Sequence, residues 1–295
     1  MIMRLHSFFL PSVLAVFLGT SFAADDPVTS APKIQPGAPI PEGAKISADA
    51  DYRIAFPSPY ARLLGIEVAL KKQNVSVDWA AVYQRLAKKN LKPDSLGNDR
   101  GKLAFAIGVR LADGIIALMA KDEEKLLQCA KDARACAQKL GIERKEMTDE
   151  GPLMRAVQDE NWGQVFFEIG MMQQEIVTRL EKNDPKQEKD RSITAMVASG
   201  AWLQGVRYAT DVISDNMKTE DLSNMLRAAP LAARLKSELE KSPADVAALP
   251  ATKKSIQVLD QVRPLIDIGR DQTIPTDKLL QIQQLAASAV SEVLP

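Results

Sequence analysis

From Pro57 onward, apolar residues recur at intervals of three and four, the period of an amphipathic helix. The pattern divides the chain into helical segments with recognisable starts and stops. Ser58-Pro59 reads as an N-cap with proline at the first helical position, and Asp78 can cap WAAVYQRLAKKN. A long apolar helix is predicted from about Leu96 to Ala120. Asp122 opens the next, which ends at Gly141, a residue type favoured just past a helix C-terminus. A break at TDEGP precedes the helical segment LMRAVQDENWGQVFFEIGMMQQEIVTRLEK, in which Val165, Ile169, Met172, Ile176 and Leu180 form one stripe. Further helices are predicted over Arg191 to Asp215 and from near Thr219, bending at Pro230. Ser242-Pro243 marks another start, with Pro250 and Pro264 as interruptions. Pro275-Thr276 leads into a last helix whose seam is Leu279, Ile282, Ala286, Val290 and Val293. No run combines period-two alternation with turn chemistry, as strands would. The expectation is an all-α domain over residues 57–295, a multi-helix bundle or loosely repeated helical hairpins.

Two predicted helices carry charge in an unusual place. FAIGVRLADGIIALMA, residues 105–120, holds only Arg110 and Asp113 as charged residues. At about 100° per residue, these share a face with Ala106, Gly114 and Ala117, while Phe105, Val109, Leu111, Ile115, Ile116 and Met119 cover the wider arc. In the segment around Trp202, Gly200, Gln204, Arg207, Asp211 and Ser214 share a narrow face; Trp202, Val206, Tyr208, Val212 and Ile213 lie elsewhere. Spacings of three and four allow Arg110–Asp113 and Arg207–Asp211 to pair on their own helices. Three readings are open. The stripes face solvent; they meet inside as a structural network; or they line a cleft in which Arg110 and Arg207 receive an anion. The candidate ligand-binding set is therefore Arg110, Asp113, Gln204, Arg207 and Asp211. A membrane span over 103–120 is unfavourable, since each buried charge costs roughly 2.5–3.5 kcal/mol near the bilayer centre.

Composition removes many chemistries. Lys plus Arg and Asp plus Glu both number 38, and the single histidine is His6. Balanced charge argues against nucleic acid as a partner. If His6 leaves with a cleaved leader, histidine-based triads, zinc sites and di-iron sites are unavailable. No metal or cofactor is predicted. Cys129 and Cys136 lie seven apart, about 10.5 Å along a helix, too far for a disulfide. With Leu126, Ala133 and Leu140 they mark a buried seam. Glu168 and Glu175, two turns apart, superficially suit an inverting glycosidase, but carboxylates at that spacing ordinarily flank an amphipathic helix's core face. Trp79, Trp162 and Trp202 read as core anchors.

The N-terminus, MIMRLHSFFLPSVLAVFLGTSFAADD, has a basic residue, a short apolar run and Ser21-Phe22-Ala23, the pattern of a signal peptide cleaved after Ala23. Residues 24–56 contain five prolines and little periodicity and read as a flexible linker. The expected product is a soluble exported chain, periplasmic or secreted, with no integral span after cleavage.

FAIGVRLADG, the next helix ending in AQKLGI, and GAWLQGVRYA together resemble uncharacterised all-helical exported proteins and lipoproteins of bacteria, over residues 100–215. The resemblance implies no activity and no catalytic residues, and this chain lacks the cysteine that a lipid anchor needs. WLQGVRY also approaches part of a tetratricopeptide pattern, with its glycine and tyrosine one position early and no 34-residue period. The leading expectation is a non-enzymatic binding protein for an unidentified protein or a small anionic ligand. A histidine-independent hydrolase or lyase using buried Arg, Asp and Glu is the alternative, and a tetratricopeptide-like scaffold a third reading.

Overall fold

Apolar stripes at helical spacing fold into helices and nothing else among the described residues. A computed structural model describes residues 59–88, 91–142, 151–182, 191–216, 222–269 and 272–294, all within the unit Arg53–Pro295. The predicted leader at 1–23 and linker at 24–56 lie outside the described residues. In chain order the helices are α1 (Pro59–Lys72), α2 (Trp79–Leu86), α3 (Arg100–Met119), α4 (Glu123–Lys139), α5 (Gly151–Gln158), α6 (Trp162–Lys182), α7 (Arg191–Asp215), α8 (Ala229–Glu240), α9 (Ala244–Ala247), α10 (Pro250–Ile266) and α11 (Thr276–Val293). Short 3-10 turns at Pro93–Leu96 and Ser223–Leu226 precede α3 and α8. None of the described helices is long and apolar enough to cross a membrane.

The boundaries follow local chemistry. Asp78, Asp99 and Asp122 each accept a hydrogen bond from a first-turn N–H, capping α2, α3 and α4. Gly141, at φ +96°, ends α4 as its position predicted. Several expectations need correction. The helix capped by Asp78 ends at Leu86 rather than running on through Lys88, because Ala87 is extended. The long apolar helix starts at Arg100, not Leu96, because Gly97 at φ +60° turns the chain and Asp99 recaps it. Within the segment after TDEGP, whose span the pattern left undivided, Glu160 at φ +50° separates two helices and the Asn161 side chain accepts from Gln164 N–H. The start expected near Thr219 lies outside the described residues, but Pro230 does not bend a helix: it stands in the first turn of α8, where a missing N–H costs nothing. Pro264 lies inside α10 near its end rather than interrupting it.

Helices α3 and α7 form the centre. Every residue from Leu103 to Leu118 is buried, as is every residue from Ser192 to Ile213 except Arg207. Such all-round burial requires neighbours on every side. α4 packs on α3 and α11 on α7; α1 lies across both, and α10 joins α8 to α11. The α3–α7 crossing is close because two glycines meet it. A Cβ on Gly108 would stand 2.0 Å from Val197 O, and one on Gly200 would stand 2.3 Å from Phe105 O. The likeness between the two apolar helices thus has a physical counterpart: they pack directly on each other. The second half does not repeat the α3–α4 hairpin, because α11 covers α7 more extensively than α8 does.

Candidate functional site

A helix end leaves carbonyls without intrahelical partners, and the polar stripes gather around one such end. The chain leaves α2 at Leu86 with Ala87 extended (ψ 144°), so the following backbone groups need partners from elsewhere. Leu86 O accepts from Arg207 Nη1 at 2.9 Å and from Gln204 Nε2 at 3.2 Å. Leu91 O accepts from Arg110 Nη2 at 3.1 Å. Lys88 N–H donates to Asp113 Oδ2 at 3.2 Å. The side chains of α3 and α7 therefore clamp the exit of α2 from both sides.

Asp113 is the hub. It is 0% exposed, and Arg110 beside it is 3% exposed. Asp113 Oδ1 accepts from Tyr208 Oη at 2.6 Å and Gln204 Nε2 at 2.7 Å. Oδ2 accepts from Lys88 N–H and from Arg110 Nη1, the latter at 3.3 Å. Burial pushes this carboxyl up from its ordinary range, while the Arg110 charge and the Tyr208, Gln204 and Lys88 donors work against the rise. Arg110 has a second carboxylate: its Nη2 lies 2.7 Å from Asp132 Oδ2 on α4, as a charge contact without hydrogen-bond angles. Asp132 Oδ1 accepts from Gln128 at 2.8 Å. One buried guanidinium thus sits between two carboxylates, the compensation a buried charge requires.

The five predicted residues are brought into one neighbourhood, with different partners from those expected. The solvent-facing reading fails for Arg110, Asp113 and Gln204, all buried. The Arg110–Asp113 pair forms, but Arg207 and Asp211 do not pair on their own helix. Asp211 instead takes Arg85 Nη2 at 2.5 Å and Gln283 Nε2 at 3.3 Å, because α2 and α11 approach that side of α7. Arg85 also reaches Asp215 at 2.7 Å; both are largely exposed, so this pair adds little stability. Tyr208 and Asp132 were not anticipated. Projection placed Tyr208 off the stripe, but its long ring carries the hydroxyl back to Asp113. Asp132 left a usable signal, since it lies on the same seam as Cys129 and Cys136.

Glu168 accepts from Gln164 Nε2 at 2.6 Å in an exposed bond on α6. Trp79 and Trp202 are core residues, while Trp162 is half-buried. Among the described residues, no group of three or more His, Cys, Asp or Glu could hold a metal ion. Both cysteines are free and buried, with Cys129 Sγ 3.7 Å from Tyr83 Oη. Burial pushes both thiols up to about 12, aided by Asp113 at Cys129 and Asp132 at Cys136. Only the thiolate is a good nucleophile. Iodoacetamide at pH 8 is therefore expected to leave the native protein unmodified and to add two labels after denaturation. Intact mass distinguishes the outcomes, and rapid labelling of native protein would contradict this burial.

No protein-family model, curated protein or solved structure matches the chain.

Proposed function

We propose that this chain is an exported, non-enzymatic binding protein whose helical unit holds a small anionic ligand or an acidic group of a protein partner. One observation carries the reading: Asp113 is fully buried and both its oxygens are taken by protein donors. A carboxylate so occupied has no lone pair directed at a substrate, so it serves the fold rather than acid–base chemistry. The hydrolase or lyase alternative loses its best-buried acid. Arg207, half-buried at the edge of the same network, keeps a cation where a ligand can reach it.

Thermal shift on residues 24–295 against a panel of carboxylates, phosphates and neutral sugars tests the reading, because a ligand that binds the native state raises its melting temperature. An anionic compound is expected to stabilise without being consumed. Turnover of a hydrolase or lyase substrate, lost on replacing an Arg or Glu of this chain, would overturn it. Export is tested separately: residues 1–23 fused to a reporter active only outside the cytoplasm should yield active reporter.

A further inference from the structure

We propose that Lys88 and Arg207 form an anion site at the edge of the buried network, taking a carboxylate or phosphate group. The proposal rests on reading the chain as a binding protein and names the ligand chemistry.

Arg207 and Lys88 are both anchored at the exit of α2 by bonds that leave their charges unspent. Arg207 Nη1 is fixed on Leu86 O at 2.9 Å. Two residues later, the backbone of Lys88 is fixed on Asp113 at 3.2 Å. Gln204, one turn before Arg207 on α7, bridges the same two acceptors, Leu86 O and Asp113 Oδ1. The Arg207 guanidinium and the Lys88 backbone are therefore fixed in one clamp. The carboxylates of this network are already engaged: Asp113 by four donors, and Asp211 by Arg85 and Gln283. Among the described residues, none forms an ion pair with Lys88 or Arg207. Both are half-buried. Burial and the neighbouring Arg207 charge lower the Lys88 ammonium from its ordinary range, as expected where two like charges meet away from bulk water.

Such a pair weakens the empty protein. A sequence consistent with its fold at other levels breaks a local rule chiefly where function asks for it. With Nη1 occupied, Arg207 still offers part of its planar fork, which suits an oxyanion, and Lys88 adds a compact charge of the kind that binds phosphate. An anion between them would remove the repulsion and add charge-assisted hydrogen bonds.

The test uses residues 24–295 with sodium phosphate, sodium citrate and sodium chloride at matched ionic strength, because salt alone screens the repulsion. Phosphate or citrate should raise the melting temperature beyond chloride, and calorimetric titration with the better anion gives its Kd. Lys88→Gln should weaken that binding about tenfold or more, the loss of one charged hydrogen bond. Lys88→Glu places a carboxylate beside Arg207 in the ligand's stead. It should melt no lower than the wild type and lose the anion response. The site is overturned if the wild type responds no more than to chloride, if Lys88→Glu responds as the wild type does, or if Lys88→Glu melts lower. If the site is overturned in one of these ways while another compound stabilises wild type and Lys88→Glu equally, the binding function still stands. Turnover of substrate would overturn the function itself.

Discussion

Gly108→Ala is expected to destabilise the protein by about 3 kcal/mol or more, well above a typical point change. The added methyl would stand 2.0 Å from Val197 O and 2.5 Å from Ala201 N, both backbone atoms of α7. Cβ atoms essentially never come within 3.0 Å of another heavy atom, and no rotamer change can relieve contact with a main chain. α3 and α7 must move apart by about an ångström or lose alignment. Alanine's better helix propensity returns only about 1 kcal/mol. The effect also reaches the polar network: Asp113 lies five residues from Gly108, about 7.5 Å along α3, and its Oδ1 partners Gln204 and Tyr208 both stand on α7. Gly65→Ala in α1 is the control, since its Cβ would meet nothing within 4 Å. It should stabilise by about 0.5–1 kcal/mol. Urea unfolding followed by circular dichroism measures both. A Gly108→Ala midpoint equal to the wild type's would contradict the close crossing.

The contrast between these glycines shows what the sequence made legible. Periodicity and caps located most helices, because Asp78, Asp122 and Gly141 act within one turn of their own positions. α7 matches its predicted span, Arg191–Asp215, and all five seam residues of α11 are buried. Errors arose where two short signals competed, as at Gly97, where a left-handed residue and the Asp99 cap delay the start of α3 to Arg100. Nothing local distinguishes Gly65 from Gly108. Their difference lies in α7, some ninety residues further along the chain, so no window of sequence contains it.

The polar network divides in the same way. Helical projection grouped Arg110 with Asp113 and Gln204 with Arg207, because each pair shares a helix face. It could not say which carboxylate each arginine would meet across helices. Arg207 looked destined for Asp211 four residues on, yet Arg85 from α2 and Gln283 from α11 hold that carboxylate instead. Nor does a projection contain backbone acceptors. Leu86 O and Leu91 O, which two of the arginines bind, lie at and beyond the end of α2, where the pattern had the helix run on. A buried charge declares in the sequence that it must have partners, and only the fold supplies their identity.

Asp113→Ala should have the largest effect among the polar residues, about 4 kcal/mol or more, a large share of the 5–15 kcal/mol that ordinarily separates folded from unfolded chains. The substitution removes the acceptor for Tyr208 Oη, Gln204 Nε2, Lys88 N–H and Arg110 Nη1 together. Each buried donor left unpaired costs about 1–3 kcal/mol. These terms do not simply add, because Gln204 retains Leu86 O and Arg110 retains Leu91 O and Asp132. A water in the vacated space could also accept from two of the donors. Asp113→Asn preserves volume and one acceptor oxygen, but turns an amide NH2 toward a site built of donors. It should fall between wild type and alanine. Tyr208→Phe deletes one donor and leaves three, so it should cost about 1–2 kcal/mol. Combining it with Asp113→Ala should cost less than the sum, since the shared bond is lost only once. Amide exchange at Lys88 gives a local readout. Its N–H is held by Asp113 rather than by a helix, so protection there should collapse in Asp113→Asn even where the core helices remain protected. Strict additivity of Tyr208→Phe with Asp113→Ala, together with unchanged Lys88 exchange in Asp113→Asn, would show that Asp113 does not hold the exit of α2.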